Sequence, residues 1–283
     1  MSYYVVTGSR GMIGGQLLEY LTSTGKDTRT LDRVDIDSCD NQEILVKKID
    51  DLVKSSDGVF HVGAMADTSD FSAEVMYYNY HITKLIADSC CRWDKKLVFS
   101  STQMVTGRKE LGYPENIYGW SKVACEDYIT MKLGNYDSWR SILLRYTNVY
   151  GPGESHKGKT ASLAYQAYIS KEIELWDAKR DFVYVKDVVF ANVYAMTSNR
   201  ITKAHLMESG GIYWVGSGNS ERAYDFVRGM GEDINIIKKT EDDAPPWFQW
   251  EVSCDSNNFM PGWKPDFDIK TGTKDYVYYL KNN

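Results

Sequence analysis

The chain has 283 residues, 43% of them hydrophobic and 25% charged, with a net charge of -6 at pH 7. This composition is ordinary for a globular protein, its acidic balance argues against nucleic-acid binding, and no apolar run is long enough for a membrane span. The strand pattern begins too early for a signal peptide, the five cysteines form no CxxC pair, and the four histidines lack zinc spacing. We therefore expect a cytoplasmic protein with free thiols, no metal and no membrane partner.

Strand and helix patterns alternate through the first half of the chain. Buried strands are predicted at residues 3–7, 58–62, 96–100 and 141–145, with a further short strand ending near residues 31–32. Helical spacing occurs near residues 16–21 and over residues 78–92 and 118–133. This alternation predicts an α/β fold with a doubly wound, parallel Rossmann sheet.

The pattern changes after Asn148. Residues 148–160 are a glycine-rich, basic loop, strands are predicted at 182–185 and 213–215 around a helix at 188–196, and a last helix lies near Asp275. We predict a dinucleotide-binding domain over residues 1–147 and a smaller, mainly substrate-binding lobe over residues 148–283. Residues of about 182–215 are expected to return to the first domain.

Three glycines spaced GxxGxxG follow the first strand and open a helix. Gly8 permits the tight turn, Gly11 lets the backbone approach a phosphate, and Gly14 lets the helix meet the strand. The helix N-terminus at Met12 and Ile13 supplies N–H donors and a partial positive charge. This arrangement predicts a site for the pyrophosphate of a dinucleotide.

The ends of the second and third strands carry further cofactor candidates. Asp32 can bind the hydroxyls of the adenosine ribose. Arg33 can pair with a 2′-phosphate, which favours NADP, or stack on adenine, which leaves NAD as the alternative. Small residues after the third strand would let the cofactor lie against the backbone, although tight helix–sheet packing would also explain them: Val62, Gly63, Ala64 and Ala66.

A hydroxyl, a phenol and an ammonium form the catalytic candidates. Thr102 follows the strand at 96–100, where ligands bind in open α/β sheets, and Tyr118 and Lys122 lie four apart on one helix face. A phenol has a pKa of about 10, and a neighbouring ammonium would favour the phenolate that removes a proton from a sugar hydroxyl. The tyrosine–lysine pair alone is a weak signal.

Together these motifs resemble the extended short-chain dehydrogenase/reductase family, specifically its NAD-dependent epimerases and dehydratases. The similar segments run from residue 4 to near residue 265: the glycine triplet, His61–Ala64, Asn116–Lys122, Arg145–Pro152, Arg180–Val188 and Gly262–Pro265. The resemblance implies a nicotinamide cofactor, a nucleotide-diphosphate sugar as substrate, and a homo-oligomer, since helices like 78–92 and 118–133 often pair in dimers of this family.

The loop at residues 148–158 is most similar to that of ADP-L-glycero-D-manno-heptose 6-epimerases. That branch implies two acid/base groups, Tyr118 and Lys157, one on each face of the reacting carbon. From its chemistry alone, Lys157 is equally suited to holding the sugar diphosphate beside Lys159. The resemblance favours the catalytic role.

The resemblance assigns the remaining roles less sharply. Lys122 would bind the nicotinamide ribose, and Val149 would line the cofactor. Asn79 would lie near the cofactor, although an asparagine that caps its own helix turn is equally reasonable. Asn148 would bind substrate, and Arg180 would contact its diphosphate or ribose, with a surface salt bridge to Asp181 as the alternative.

Departures from the family fall on substrate-binding positions. Lys159 replaces a serine, Gln166 a histidine and Phe248 a tyrosine. The sugar therefore stays open, and we predict a nucleotide-diphosphate-sugar epimerase that oxidises its substrate transiently to a ketone, with a 4-epimerase as the alternative. A 4,6-dehydratase is disfavoured, because Gln103 and Met104 replace the acid pair it needs. A non-catalytic cofactor-binding sensor is a remote alternative.

Overall fold

The computed structural model describes residues 2–107, 112–134, 139–154, 163–244, 248 and 250–283. The strands are β1 (Tyr4–Thr7), β2 (Thr28–Leu31), β3 (Gly58–His61), β4 (Lys96–Thr102), β5 (Ser141–Tyr146), β6 (Asn148–Tyr150), β7 (Glu172–Leu175), β8 (Lys179–Tyr184), β9 (Ile212–Val215), β10 (Ser220–Arg222) and β11 (Asn235–Lys238). The α-helices are α1 (Met12–Ser23), α2 (Arg33–Asp37), α3 (Gln42–Lys54), α4 (Ala73–Met76), α5 (Ile82–Arg92), α6 (Ile117–Leu133), α7 (Leu163–Ser170), α8 (Val185–Thr197), α9 (Lys203–Ser209), α10 (Ala223–Met230) and α11 (Ile269–Asn282).

Six parallel strands form the central sheet, in the order β2-β1-β3-β4-β5-β9. Helices α3, α5 and α6 cover one face through an apolar core, and α1 and α8 cover the other. Burial on both faces explains why the inner strands β1, β3, β4 and β5 are buried almost continuously rather than at alternate residues. The predicted doubly wound parallel sheet is confirmed.

The connection between β2 and β3 is shorter than in the usual six-stranded dinucleotide-binding sheet. It contains α2 and α3 but no strand, so only β2 lies outside β1, where the usual order has two strands. Helix α3 was not predicted, although Leu45, Ile49 and Val53 are spaced by four residues and form its buried stripe.

A second lobe carries its own core. It holds the three-stranded sheet β10-β8-β6, the two-stranded parallel sheet β11-β7, and helices α7, α10 and α11 packed around the stacked rings of Phe182 and Phe226. Between these elements the chain returns to the central sheet: α8 packs against α1, and β9 pairs with β5. No helix in the described part of the chain combines the length and apolar character that a bilayer crossing requires.

Candidate active site

The turn between β1 and α1 depends on close backbone contacts. Gly8 has φ +67°, and a Cβ there would lie 2.5 Å from the Cα of Gly63. A Cβ on Gly14 would lie 2.1 Å from the carbonyl oxygen of Gly8. Gly11 is the N-cap of α1, so the N–H groups of the first turn, including Met12 and Ile13, have no partner within the helix. Such a turn fits a pyrophosphate.

A cavity of about 240 Å³ lies beside this turn, at the carboxyl ends of β1, β2 and β3. Asp32, Arg33, Gly63 and Ala64 are among the residues that line it. The Asp32 carboxylate accepts hydrogen bonds from the backbone N–H and the hydroxyl of Ser9, both at 2.7 Å. The cavity therefore presents a carboxylate where the ribose of a bound dinucleotide would lie.

The Thr7 hydroxyl holds the start of the loop after β3. The N–H groups of Val62 and Gly63 donate to the Thr7 hydroxyl at 3.1 and 3.0 Å. Ala66 is exposed and does not line the cavity beside Gly8. Gly63 and Ala64, in contrast, line that cavity.

The guanidinium of Arg33 already has acidic neighbours. It lies 3.0 Å from a carboxylate oxygen of Glu74 and 3.5 Å from one of Asp37, and it stacks 4.1 Å from the centre of the Tyr78 ring. Two carboxylates offset its single positive charge. Arg33 is therefore less available to a 2′-phosphate than the sequence suggested.

Asn79 connects two elements instead of capping its own helix. A π-helical turn, Tyr77–His81, joins α4 to α5 and buries the Asn79 side chain. Its Nδ2 donates to the Met65 carbonyl and the Ser121 hydroxyl, both at 2.9 Å, and its Oδ1 accepts from the Met65 N–H at 2.7 Å. Asn79 thus fixes the loop after β3 to α6.

Thr102 and Tyr118 come together where β4 ends and α6 begins. Asn116 caps α6 by accepting the N–H of Gly119 at 2.7 Å, which places Tyr118 in the first turn. Burial raises the pKa of the Tyr118 phenol to about 12, and a hydrogen bond with the Thr102 hydroxyl offsets part of the rise. The phenol is therefore protonated at neutral pH in this structure.

The Lys122 ammonium faces the sheet. It donates to the Ser100 carbonyl at 2.7 Å and lies 4.5 Å from the centre of the Phe99 ring. Burial lowers its pKa to about 8. The expected lowering of the Tyr118 pKa by Lys122 is not seen. Burial and the charge of Cys125 raise that pKa, and the hydrogen bond with Thr102 lowers it. Desolvation of the phenol outweighs a cation that is directed elsewhere.

A second cavity, of about 480 Å³, lies in the second lobe between β6, β7, β8, α7 and α10. Four predicted site residues line it: Asn148, Val149, Arg180 and Phe248. The Arg180 guanidinium lies 5.0 Å from the centre of the Phe248 ring, and burial lowers its pKa to about 10. A partly buried cation beside aromatic rings suits a nucleotide diphosphate.

Asp181 is not the partner of Arg180. Its fully buried carboxylate accepts hydrogen bonds from the Thr147 hydroxyl at 3.0 Å and from the N–H groups of Ser217 and Gly218 at 2.7 and 2.9 Å. The predicted alternative of an Arg180–Asp181 salt bridge is therefore excluded, and Arg180 is left facing the cavity.

The basic loop is only partly described. Lys157 and Lys159 lie outside the described residues, as does the whole of 155–162. On either side of that gap, Tyr150, Leu163 and Ala164 line the second cavity. Gln166 is exposed on α7 and is not among the described residues that line it.

Sequence reasoning missed the aromatic wall of this cavity. Trp176 lies 4.9 Å from Phe248, ring centre to ring centre, and Tyr150 and Phe226 complete the wall. The available signal was the aromatic content of 13%. Aromatic residues beside a predicted substrate arginine were the informative pattern.

Comparisons with known proteins agree with this geometry. A sequence model described as "NAD dependent epimerase/dehydratase family" matches residues 4–227. An ADP-L-glycero-D-manno-heptose-6-epimerase of Brachyspira hyodysenteriae is 27% identical, over 99% of this chain and 98% of that protein. The crystal structure of the Helicobacter pylori ADP-L-glycero-D-manno-heptose-6-epimerase superposes with a TM-score of 0.79 at 23% identity, covering 99% of this chain and 96% of that one. The Thermus thermophilus UDP-glucose 4-epimerase complex with NAD has a TM-score of 0.76 at 22% identity, with 99% of each chain covered.

Proposed function

Because the chain belongs to the NAD dependent epimerase/dehydratase family, we propose that it epimerises a nucleotide-diphosphate sugar. The observation that carries the proposal is the position of Thr102 and Tyr118. They meet where β4 ends, on the central sheet whose strands β1, β2 and β3 end at the cavity beside Gly8. The second cavity, with Arg180, suits the nucleotide diphosphate. The similarity to heptose 6-epimerases supports inversion at carbon 6 of an ADP-heptose.

The residues of the chain would divide the proton chemistry. The nicotinamide supplies a hydride acceptor and donor, and the sugar hydroxyl loses its proton as the carbon loses hydride. Tyr118 would take that proton as phenolate and return it as neutral phenol, with Thr102 orienting the hydroxyl. The positive charge of the oxidised nicotinamide would favour the phenolate and oppose the rise of its pKa caused by burial.

Lys157 is proposed as the second acid/base group, on the other face of the carbon. Re-reduction from the opposite face requires the ketone to present its other side to the cofactor, so a second proton donor would serve the turned intermediate. The described residues that flank the loop support this role, since they line the substrate cavity.

A 4-epimerase is the second candidate. Thr102 and Tyr118 suffice for inversion at carbon 4, and Lys157 would then only hold phosphate. Fold similarity to a UDP-glucose 4-epimerase keeps this candidate open. Dehydration is disfavoured, because Gln103 and Met104 follow Thr102 and neither side chain can act as an acid in elimination.

For the cofactor we propose NAD in preference to NADP, reversing the order expected from the sequence. The support is the Asp32 carboxylate at the end of β2 and the pairing of Arg33 with Glu74 and Asp37. These carboxylates would repel a 2′-phosphate.

Two measurements test the proposed cofactor and the proposed reaction. The dissociation constants of NAD and NADP are compared first, and tighter binding of NADP would contradict the cofactor preference. The loaded protein is then incubated with ADP- and UDP-linked sugars, including ADP-glycero-manno-heptose, and NMR shows which carbon inverts. Inversion at carbon 6 supports the first candidate, inversion at carbon 4 the second, and water loss or no turnover of any sugar contradicts both.

We also propose a homo-oligomer in the cytoplasm. Trp120 and Met131 on α6 are exposed, at 50% and 76%, and Tyr77 before α5 is exposed at 42%, which supports pairing through these helices. All five cysteines are free thiols, which suits a reducing compartment. Light scattering that shows a monomer at micromolar concentration would contradict the oligomer.

A further inference from the structure

Gln103 lies between the catalytic pair and the substrate cavity. It follows Thr102 directly, at the start of a 3-10 turn, Gln103–Thr106, and only 8% of it is exposed. Its Nε2 donates to the Oδ1 of Asn148 at 3.4 Å, and Asn148 lines the cavity that also holds Arg180.

The Oε1 of Gln103 is buried and accepts no hydrogen bond from the residues that the structure describes. Buried polar atoms nearly always have a partner, so an exception next to Thr102, on a side chain hydrogen-bonded to the cavity residue Asn148, calls for an explanation. The amide is held from its other end by Asn148, whose own Nδ2 donates to the Asp181 carbonyl at 3.1 Å. The oxygen is thus kept in place with its lone pairs unused, as an acceptor awaiting a donor would be.

We propose that Gln103 positions the sugar by accepting a hydrogen bond, through Oε1, from a hydroxyl near the reacting carbon. This inference rests on the proposed function, since it presumes a sugar in the cleft. A neutral amide binds a hydroxyl without exchanging protons with it, so the sugar is held and no water is eliminated. The two lone pairs of Oε1 can accept a hydroxyl from more than one direction. This suits a ketone intermediate that must turn its other face to the cofactor.

The test compares variants that differ in the acceptor. In the NAD-loaded protein, calorimetry gives the dissociation constants of UDP, UDP-glucose, ADP and ADP-mannose for the wild type, Gln103→Leu and Gln103→Glu. The ratio of the nucleotide constant to the nucleotide-sugar constant measures what the sugar adds. We expect Gln103→Leu to lower this ratio about tenfold, with UDP, ADP and NAD binding unchanged. Gln103→Glu keeps an acceptor and should retain the ratio.

Each other outcome has a defined meaning. An unchanged ratio in Gln103→Leu, or no contribution of the sugar in the wild type, overturns the proposal for Gln103. An equal loss of nucleotide and NAD binding shows a structural role only and also overturns it. If Gln103→Leu fails to fold, Gln103→Glu decides. A lower ratio of dissociation constants in Gln103→Glu would show that the sugar's contribution depends on the Asn148 contact and not on the acceptor, which overturns the proposal. Gln42→Leu, at an exposed glutamine that starts α3, is the matched control.

If the wild type binds neither nucleotide, the proposed function itself is wrong. Binding of nucleotide with a ratio insensitive to Gln103→Leu leaves the proposed function intact and removes only the role of Gln103. The two failures are therefore distinguishable within one data set.

Discussion

The phenol of Tyr118 would be protonated at neutral pH even at its ordinary pKa of about 10, and burial, which outweighs the hydrogen bond from Thr102, raises that pKa to about 12. The Lys122 ammonium is bound to the Ser100 carbonyl. Under the proposed mechanism, the phenol would therefore need the positive charge of the bound cofactor to act as a base.

Substitution of the two proposed acid/base groups tests this arrangement. We expect Tyr118→Phe and Lys157→Met each to lower turnover by about a hundredfold or more, because each removes a proton carrier from one face of the carbon. Single-turnover and steady-state kinetics, with the sugar that the incubation experiment shows to be inverted, give the measurement. Lys47→Met, at an exposed lysine paired with Asp51, is the control. Near-normal turnover of Lys157→Met with weaker substrate binding alone would contradict the two-base mechanism.

At the scale of elements, the β1–α1 turn is constrained by backbone crowding. A Cβ on Gly14 would meet the Gly8 carbonyl at 2.1 Å, whereas one on the adjacent Gly15 would meet the Ser9 carbonyl at 3.3 Å. The same helix therefore holds one position closed to any side chain and one that needs only a small shift.

We expect Gly14→Ala to abolish detectable NAD binding and to lower the free energy of unfolding, since either the turn or α1 must move. Gly15→Ala should bind NAD within about threefold of the wild type, because alanine is the better helix former and offsets a small shift. Fluorescence titration with NAD and urea unfolding of both variants make the comparison. Equal behaviour of the two variants would show that the turn tolerates displacement.

At the scale of the whole molecule, Asp187 ties the C-terminal segment to α8. Its buried carboxylate accepts the N–H groups of Asp266 and Phe267 at 2.8 and 3.2 Å. Burial raises its pKa to about 6, from 3.8. Since the native state binds this proton more tightly than the unfolded chain, the contribution to stability is complete below pH 4 and is lost as the pH rises through 6.

Asp187→Asn removes this titration. Between pH 4 and pH 7 the free energy of unfolding of the variant should rise relative to that of the wild type by roughly 2 to 3 kcal/mol. Urea denaturation at both pH values measures it, and Asp225→Asn, at an exposed carboxylate of α10, is the control. Parallel pH profiles of the Asp187→Asn variant and the wild type would contradict the linkage.

Local patterns in the sequence were sufficient to predict the β1–α1 turn, the parallel sheet and the grouping of Thr102 with Tyr118. Gly8, Gly11 and Gly14 act through backbone geometry within one turn, and the strand and helix periods follow from side-chain direction. Thr102 and Tyr118 are brought together because Thr102 ends β4 and Tyr118 lies in the first turn of α6, the next helix of the α/β alternation. Such features need only neighbouring residues, so they are readable from the chain.

Partners and pKa values required the tertiary structure. Which charges surround Arg33, where the Lys122 ammonium is directed, and how far burial shifts the pKa of Tyr118 all depend on side chains far apart in sequence. The second cavity is likewise formed by β6, β7, β8, α7 and α10, and its aromatic wall has no periodic pattern. The sequence by itself thus determined the family and the fold, because these follow from local spacing. Only the packed molecule decided the ionisation and the neighbours of the candidate site residues, because desolvation and charge pairing arise when distant segments meet.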